Sequence, residues 1–331
     1  MTILDVARHA GVSPATVSRV LNQSSHPVSE QGRRRVLAAA RKLAYIPNLL
    51  ARSLLTQETA AIGVLIPDVS NPYYAAVLRG IEDAVGPSGR TVILGNTDRR
   101  SDKQRLYLRA LMERRVDGII IAGGSFGRAE QEITGRALPV VMIGRHRARL
   151  PSVRIDNVAA GAMATRHLVE LGHRQIACLA GPAVSLTSAD RVKGHLRALD
   201  AARIPAEAGL IVEVGFTPAR TAEAIRALFD RAVRPTGVVA ANDQVGIAVI
   251  RALHDLGLRV PDDASVVGFD DTPMASYTVP SLTTVAVPTY GLGQTAVRLL
   301  LDVRSGRRAS SVVLPCTLKV RESTSVHRGR G

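Results

Sequence analysis

The sequence predicts an α/β protein headed by a small all-helical domain. Three observations carry that expectation. The first 56 residues read as short amphipathic helices separated by capping and turn residues. From residue 57 onward, short β-branched runs alternate with helical patterns, which argues for parallel sheets with helices on both faces. These runs fall into two sets, so the body should hold two subdomains. A chain of 331 residues has room for two or three domains, and 46% apolar content is enough for sizeable cores.

The charge balance narrows the function class. Forty-three Lys and Arg stand against 28 Asp and Glu, a formal charge of +15. Such a balance points to nucleic acid or an anionic membrane surface, or to an enzyme from an Arg-rich proteome. Its distribution separates these readings. Residues 1–56 carry Arg8, Arg19, Arg33, Arg34, Arg35, Arg41, Lys42 and Arg52 against only Asp5 and Glu30, a net +6. That concentration favours a dedicated polyanion-binding module. Cys178 and Cys316 match no metal spacing and read as reduced core thiols. No metal, cofactor or membrane partner is expected. There is no basic-then-apolar leader and no apolar run near the roughly 18 residues of a membrane span, so a cytoplasmic location is expected.

The N-terminal elements follow in order. Thr2-Ile3-Leu4-Asp5 fits a capping box, and Ile3, Val6, Ala7 and Ala10 then share one helical face. Gly11 stands where a left-handed C-terminal residue belongs. Ser13 can cap a second helix with Pro14 in its first turn, and Val17, Val20 and Leu21 give its buried face. Ser29 can cap a third, with Val36, Leu37, Ala40 and Leu43 inward. Two short helices joined through Ala10-Gly11-Val12-Ser13 form a helix-turn-helix. Its second helix enters the major groove N-terminal end first. Pro14, Ala15 and Arg19 then face base edges, Arg19 as a bidentate partner for guanine, while Thr16, Ser18 and the helix N-terminus hold phosphates.

The stretch Asp5-Val6-Ala7, Ala10-Gly11-Val12-Ser13 and Thr16-Val17-Ser18-Arg19-Val20-Leu21-Asn22 resembles the lactose-repressor (LacI) family of transcription regulators. The likeness continues through Ala44-Tyr45-Ile46-Pro47-Asn48 and Ala51-Arg52-Ser53-Leu54 and runs to about Glu322. It extends the DNA-contacting set to Thr2, Ser13, Asn22, Asn48, Arg52 and Leu54. Two departures stand out: Gln31-Gly32 early in the third helix, and a loop from Gln23 to Pro27 one residue longer than usual. Residues 47–56 are too few for an isolated helix, which is marginal below about 12 residues. The resemblance makes this segment a hinge helix, ordered against DNA and a partner copy, with Leu54 wedged between base pairs in the minor groove.

In the body, strands are expected at Ala61–Ile66, Thr91–Leu94, Gly118–Ala122, Val140–Ile143 and Val153–Ile155. A second set lies at Ile176–Leu179, Leu210–Val214, Gly237–Ala240 and Ser265–Gly268. Ligands bind beyond the carboxyl ends of such strands. Residues at those ends include Asp156 and Thr187. The resemblance implies that Tyr73, Tyr74, Arg145, Arg191, Phe216, Asn242 and Asp270 line the cleft. It also implies a periplasmic-binding-protein-like body, two doubly wound parallel-sheet subdomains between which the chain crosses three times. The expected organisation is a helix-turn-helix domain at 1–46, a hinge at 47–56 and an effector-binding and dimerisation body at 57–331. Within the body, one subdomain spans about 60–157 and 288–316, the other about 158–287 and 317–325.

Two motifs could mislead. Gly123-Gly124-Ser125-Phe126-Gly127 matches the G-x-S-x-G elbow of serine hydrolases, but His167, His195 and His254 fall within helical stretches, His327 lies in the tail, and no oxyanion loop precedes the serine. Gly291-Leu292-Gly293-Gln294-Thr295-Ala296 matches a dinucleotide fingerprint, yet no acidic residue stands about 20 residues on, so it reads as helix-start packing. No catalytic residue is expected. A transport-type solute-binding protein is the rival reading of the body alone. The combined expectation is a repressor that binds double-stranded, pseudo-palindromic operator DNA as a homodimer. A sugar-like small molecule, or alternatively a nucleobase, would control it. No heptad repeat follows Glu322 to suggest a tetramer.

Overall fold

The computed structural model describes residues 1–21, 26–45, 59–135 and 138–327. The expectations placed on Asn22, Asn48, Arg52, Leu54 and the hinge segment lie outside those residues. The chain divides into two units, Met1–Ala60 and Ala61–Gly331.

The first unit holds α1 (Ile3–Ala10), α2 (Pro14–Leu21) and α3 (Glu30–Lys42). The capping box at its start is formed: the Thr2 amide donates to Asp5 Oδ2 at 2.8 Å and the Asp5 amide to Thr2 Oγ1 at 3.3 Å. Gly11 ends α1 at φ +63°, the left-handed region open to glycine. Val6, Val17, Val20, Val36 and Ala39 form the centre of the small core. Leu37 departs from expectation, being 39% exposed, because Val36, Ala39 and Ala40 already fill the inward stripe of α3. The unusual Gly32 has a local cause. Its amide donates to the capping Ser29 Oγ at 3.1 Å, and an added Cβ would crowd that same oxygen.

The second unit carries two sheets. The first contains β1 (Ala61–Ile66), β2 (Thr91–Asn96), β3 (Ile119–Ala122), β4 (Val140–Ile143), β5 (Ser152–Ile155) and the late β11 (Val312–Leu314), ordered β11-β5-β4-β3-β1-β2. The second contains β6 (Ile176–Ala180), β7 (Ile211–Glu213), β8 (Gly237–Ala240), β9 (Ser265–Asp270), β10 (Thr283–Ala286) and β12 (Thr317–Lys319), ordered β12-β10-β9-β8-β6-β7. The same topology is therefore used twice. All strand pairs are parallel except β10 with β12. β1, β3, β4, β8 and β9 are buried along their whole length, as strands covered by helices on both faces must be. Strand order reverses between β1 and β3 and again between β6 and β8, the kind of position at whose carboxyl ends open α/β sheets bind ligands. The chain passes between sheets after β5, after β10 and after β11.

Each lobe is clamped by one helix pair in backbone contact. In the first, α4 (Pro72–Val85) meets α12 (Thr289–Arg304): a Cβ on Gly80 would lie 2.1 Å from the Tyr290 carbonyl oxygen, and one on Gly293 2.2 Å from that of Val77. In the second, α7 (Asn157–Glu170) meets α8 (Leu186–Ala201): Gly161 faces the Arg191 carbonyl at 2.2 Å and Gly194 that of Val158 at 2.1 Å. Gly293 thus belongs to helix packing, as its motif context suggests. The tail is held as well. The His327 amide donates to the Leu171 carbonyl at 2.8 Å, and its ring stacks on His173. Among the described residues no helix is long and apolar enough to cross a membrane.

The clamps predict a specific loss. Gly194→Ala places a methyl inside the Val158 carbonyl and should destabilise the body by about 1–3 kcal/mol, the usual cost of overpacking. Ala198→Gly, one turn on, should cost no more than about 1 kcal/mol. Urea denaturation of both variants checks the difference; equal losses would remove the clamp's special role.

Candidate nucleic-acid interface and interlobe cleft

The geometry of α2 sorts its residues by face. Val17 and Val20 are buried, while Ser13, Pro14, Ala15 and Arg19 are exposed and Thr16 and Ser18 half-buried. Ser13 holds the entry to the helix: its Oγ accepts from the Thr16 amide at 3.2 Å and lies 2.9 Å from Thr16 Oγ1. Thr2 is committed to the capping box, which fixes the start of the unit. Arg8 pairs weakly with Asp5 at 3.8 Å. Arg19, Arg34, Arg35, Arg41 and Lys42 are exposed and make no ion pair among the described residues. A short helix with a polar outer face and unneutralised cations around it suits a polyanion.

The second candidate site lies between the lobes of the body. Its floor is built around Arg191, on α8. Its Nε donates to Asn157 Oδ1 at 3.1 Å and its Nη1 to the Ala241 carbonyl at 2.6 Å. Nη2 lies 3.6 Å from Asp270 Oδ1, and the guanidinium covers the Phe269 ring at 4.2 Å. Asp270 ends β9 at φ +111°, followed by Asp271 at φ +56°, two strained residues in succession at a strand end. Asp243, which opens α10 (Asp243–Asp255), holds that turn. It accepts from the Thr272 amide at 2.7 Å, Thr272 Oγ1 at 3.0 Å and Thr284 Oγ1 at 2.6 Å.

Electrostatics follow from burial. Desolvation pushes the Asp270 carboxyl well above the usual carboxylate range and outweighs the attraction of Arg191, while Asp243 nearby pushes it further. Tyr73 and Tyr74, on α4 in the other lobe, meet edge-to-face at 4.9 Å, and burial raises both phenols. The wall on the second lobe comes from Thr187, half-buried on α8, and Phe216, which lies where a Cβ on Gly181 would be, 2.6 Å from the ring.

Other expected residues do structural work. Asn242 caps α10 through the Val245 amide at 3.0 Å. Asp156 caps α7 through the amides of Val158 and Ala159, both at 3.0 Å, and faces outward. Arg145 crosses the cleft to pair with Asp190 on α8. A second bridge joins the expected Phe216 to an unexpected residue: the Arg99 guanidinium, held by Asp68 at 3.4 Å, covers the Phe216 ring at 4.9 Å from the opposite lobe. Arg99 follows the end of β2, so a stricter use of the strand-end rule reaches it; Asp190 sits mid-helix and carries no such signal. With these bridges closed, the cavity beside Thr187, Arg191 and Phe216 has about 20 Å³, room for about one water.

Among the described residues, the Ser125 elbow is not bonded to any histidine. The Ser125 carbonyl accepts from Gln104, His195 is bonded to Thr165 and His167 to Thr324, and His254 contacts Asp255. The fold and the two sites define a DNA-binding regulator carrying a sensor body. Residues 2–48 match the model of the bacterial regulatory proteins of the lacI family, and residues 165–324 match a periplasmic binding protein-like domain. The transcriptional regulator DegA of Bacillus subtilis strain 168 is 37% identical over 98% of both chains. The Lac repressor dimer bound to operator and an anti-inducer superposes with a TM-score of 0.88, at 32% identity over 98% of this chain and 99% of the other. A CelR–cellobiose complex superposes at 0.74, also at 32% identity, with 98% and 99% covered. The chain belongs to the lacI family of bacterial regulatory proteins and is a transcription regulator, not an enzyme.

The raised carboxyl at position 270 makes stability pH-dependent. A group whose native pKa is raised contributes stability that is present below its ordinary value of 3.8 and is lost as pH rises through the native value, about 8. Asp270→Asn keeps the shape and removes the titration. Relative to wild type, the variant should therefore gain stability between about pH 4 and pH 8, by more than about 1 kcal/mol. Urea melts across that range would show parallel curves if burial did not dominate.

Proposed function

We propose that this protein is a cytoplasmic repressor that binds a pseudo-palindromic operator as a homodimer and responds to a sugar-like molecule in the interlobe cleft. The observation that carries the reading is the buried Arg191–Asp270 pair on the Phe269 ring, opposite Tyr73 and Tyr74. A guanidinium, a carboxyl and aromatic faces in one nearly dry crevice suit a polyhydroxylated ligand. The CelR neighbour with cellobiose supports that class.

DNA contact is assigned to Ser13, Pro14, Ala15, Thr16, Ser18 and Arg19 on the exposed face of α2 and its entry, with Thr2 at the start of α1 and with Asn22, Asn48, Arg52 and Leu54 beyond it. Dimerisation is assigned to the edge strand β2 and the apolar side chains Val69, Leu94 and Leu106, all exposed, and to Met274, Tyr277 and Val279 in the other lobe. A hydrophobic set of this kind on both lobes fits a second copy of the chain, and the Lac repressor neighbour is a dimer on operator. Effector binding opens or resets the Arg99–Phe216 and Arg145–Asp190 bridges, shifting the lobes and with them the two copies of residues 47–56. A thousand-fold change in operator affinity requires about 4 kcal/mol of coupling, slightly above the usual range.

Two measurements test this. On DNA selected from a random pool, Arg19→Ala should cost about 1–3 kcal/mol and relax preference at one base position in each half-site. Wild-type affinity should fall steeply with salt. Unchanged affinity and preference would remove Arg19 from recognition. A thermal-shift screen of sugars, sugar phosphates and nucleobases should yield a sugar-class hit, and Asp270→Ala should abolish it. A nucleobase hit would replace the sugar reading, and a hit insensitive to Asp270→Ala would place the effector elsewhere.

A further inference from the structure

A larger cavity than the one beside Arg191 lies outside the cleft. It is a groove of about 460 Å³ along the outer faces of α7 and α8, within the usual range of about 300–1,000 Å³ for ligand sites. Its floor is apolar and small: Ala159, Ala162, Ala198 and Ala201. The close crossing at Gly161 and Gly194 explains why the floor is rigid, since two helices in backbone contact leave no slack for their outer faces to collapse. Two guanidiniums, Arg166 on α7 and Arg197 on α8, line the same groove. Both are exposed, and neither makes an ion pair or hydrogen bond among the described residues. The one carboxylate that lines the groove, Asp156, is already occupied by two backbone amides of α7.

We propose that this groove is a second ligand site, distinct from the cleft, that takes a small organic anion with an apolar body. The alanine floor accepts the body, and Arg166 and Arg197, one from each helix, receive the charged head as a carboxylate or phosphate monoester. Asp156 follows β5, where the chain first passes between the lobes, so an occupant lies beside that crossing. This site stands independently of the cleft assignment.

The test uses the full chain and the fluorescent anion 1-anilinonaphthalene-8-sulfonate, with octanoate as competitor. Wild type should bind the dye saturably, and octanoate should displace it, whereas octanol at the same concentration should not. Arg166→Glu/Arg197→Glu should weaken the dye at least tenfold with an unchanged melting temperature, because both side chains are exposed. Ala162→Phe, which fills the floor and leaves the charges, should weaken it as much and covers the case in which the double variant fails to fold. Equal dye affinity in wild type and variants overturns the proposal. So does displacement by octanol as effective as by octanoate, which would show no recognition of charge. Displacement by an oligoglutamate peptide at lower concentration than octanoate would overturn it in favour of docking by an acidic protein.

Discussion

Arg191 is the residue on which the body's organisation turns. Its side chain is only 13% exposed, and a guanidinium so far removed from water must be met by acceptors. Those acceptors come from three elements: Asn157 at the first residue of α7, the carbonyl of Ala241 after β8, and Asp270 at the end of β9. One cation therefore gathers the ends of two neighbouring strands and the start of the helix that follows the first passage between lobes. Asp270 can hold its left-handed conformation there because Asp243 ties down the next turn with three hydrogen bonds. The strain, the raised carboxyl and the aromatic face under the guanidinium share one cause, which is polar chemistry kept in a nearly dry crevice.

That crevice has to be positioned by something stiff. Two glycine-mediated helix crossings supply the stiffness, one per lobe, and each sits beside a strand order that reverses at the same point. The α7–α8 crossing bears directly on the site, because the carbonyl that approaches Gly161 belongs to Arg191 itself. A side chain at position 161 would push the Arg191 backbone away from the cleft. Packing and the chemistry of the proposed cleft site are thus joined through one peptide unit.

Much of this was legible in the sequence. The capping residues Thr2, Ser13 and Ser29 and the left-handed Gly11 announce the first unit, because caps are local chemistry. Buried parallel strands announce themselves as apolar runs, and nine of the twelve were placed to within one or two residues. β10, β11 and β12 are not among them: β10 opens on Thr283 and Thr284 and shows no apolar run, while β11 and β12 each have three residues, are partly exposed and owe their pairing to partners more than 30 residues away. In the cleft, strand-end position and family likeness reach Tyr73, Arg191 and Asp270. They do not separate ligand-facing residues from caps. Asn242 and Asp156 cap helices in this structure, and a carboxylate or amide at a strand-to-helix turn has the same sequence signature whether or not it also meets a ligand. Nor can a one-dimensional reading find Arg99 on Phe216, since that contact joins residues more than 100 positions apart across two lobes.

The two interlobe bridges give the cleft a resting arrangement of its own. Each bridge reaches the second lobe through a partly exposed arginine, Arg145 to Asp190 and Arg99 to Phe216, and contacts made by so exposed a guanidinium contribute about 1 kcal/mol each. The Arg191 cluster beneath them is buried and belongs to one lobe and its connection. A ligand can therefore displace the bridges at small cost while leaving the floor intact. On the proposed function, the lobes are held together weakly enough to be reset, and the surface that would read the ligand does not have to be rebuilt each time. The proposed switch needs this inequality: if Arg145 and Arg99 were as buried as Arg191, a small molecule's differential affinity would be too little to move them.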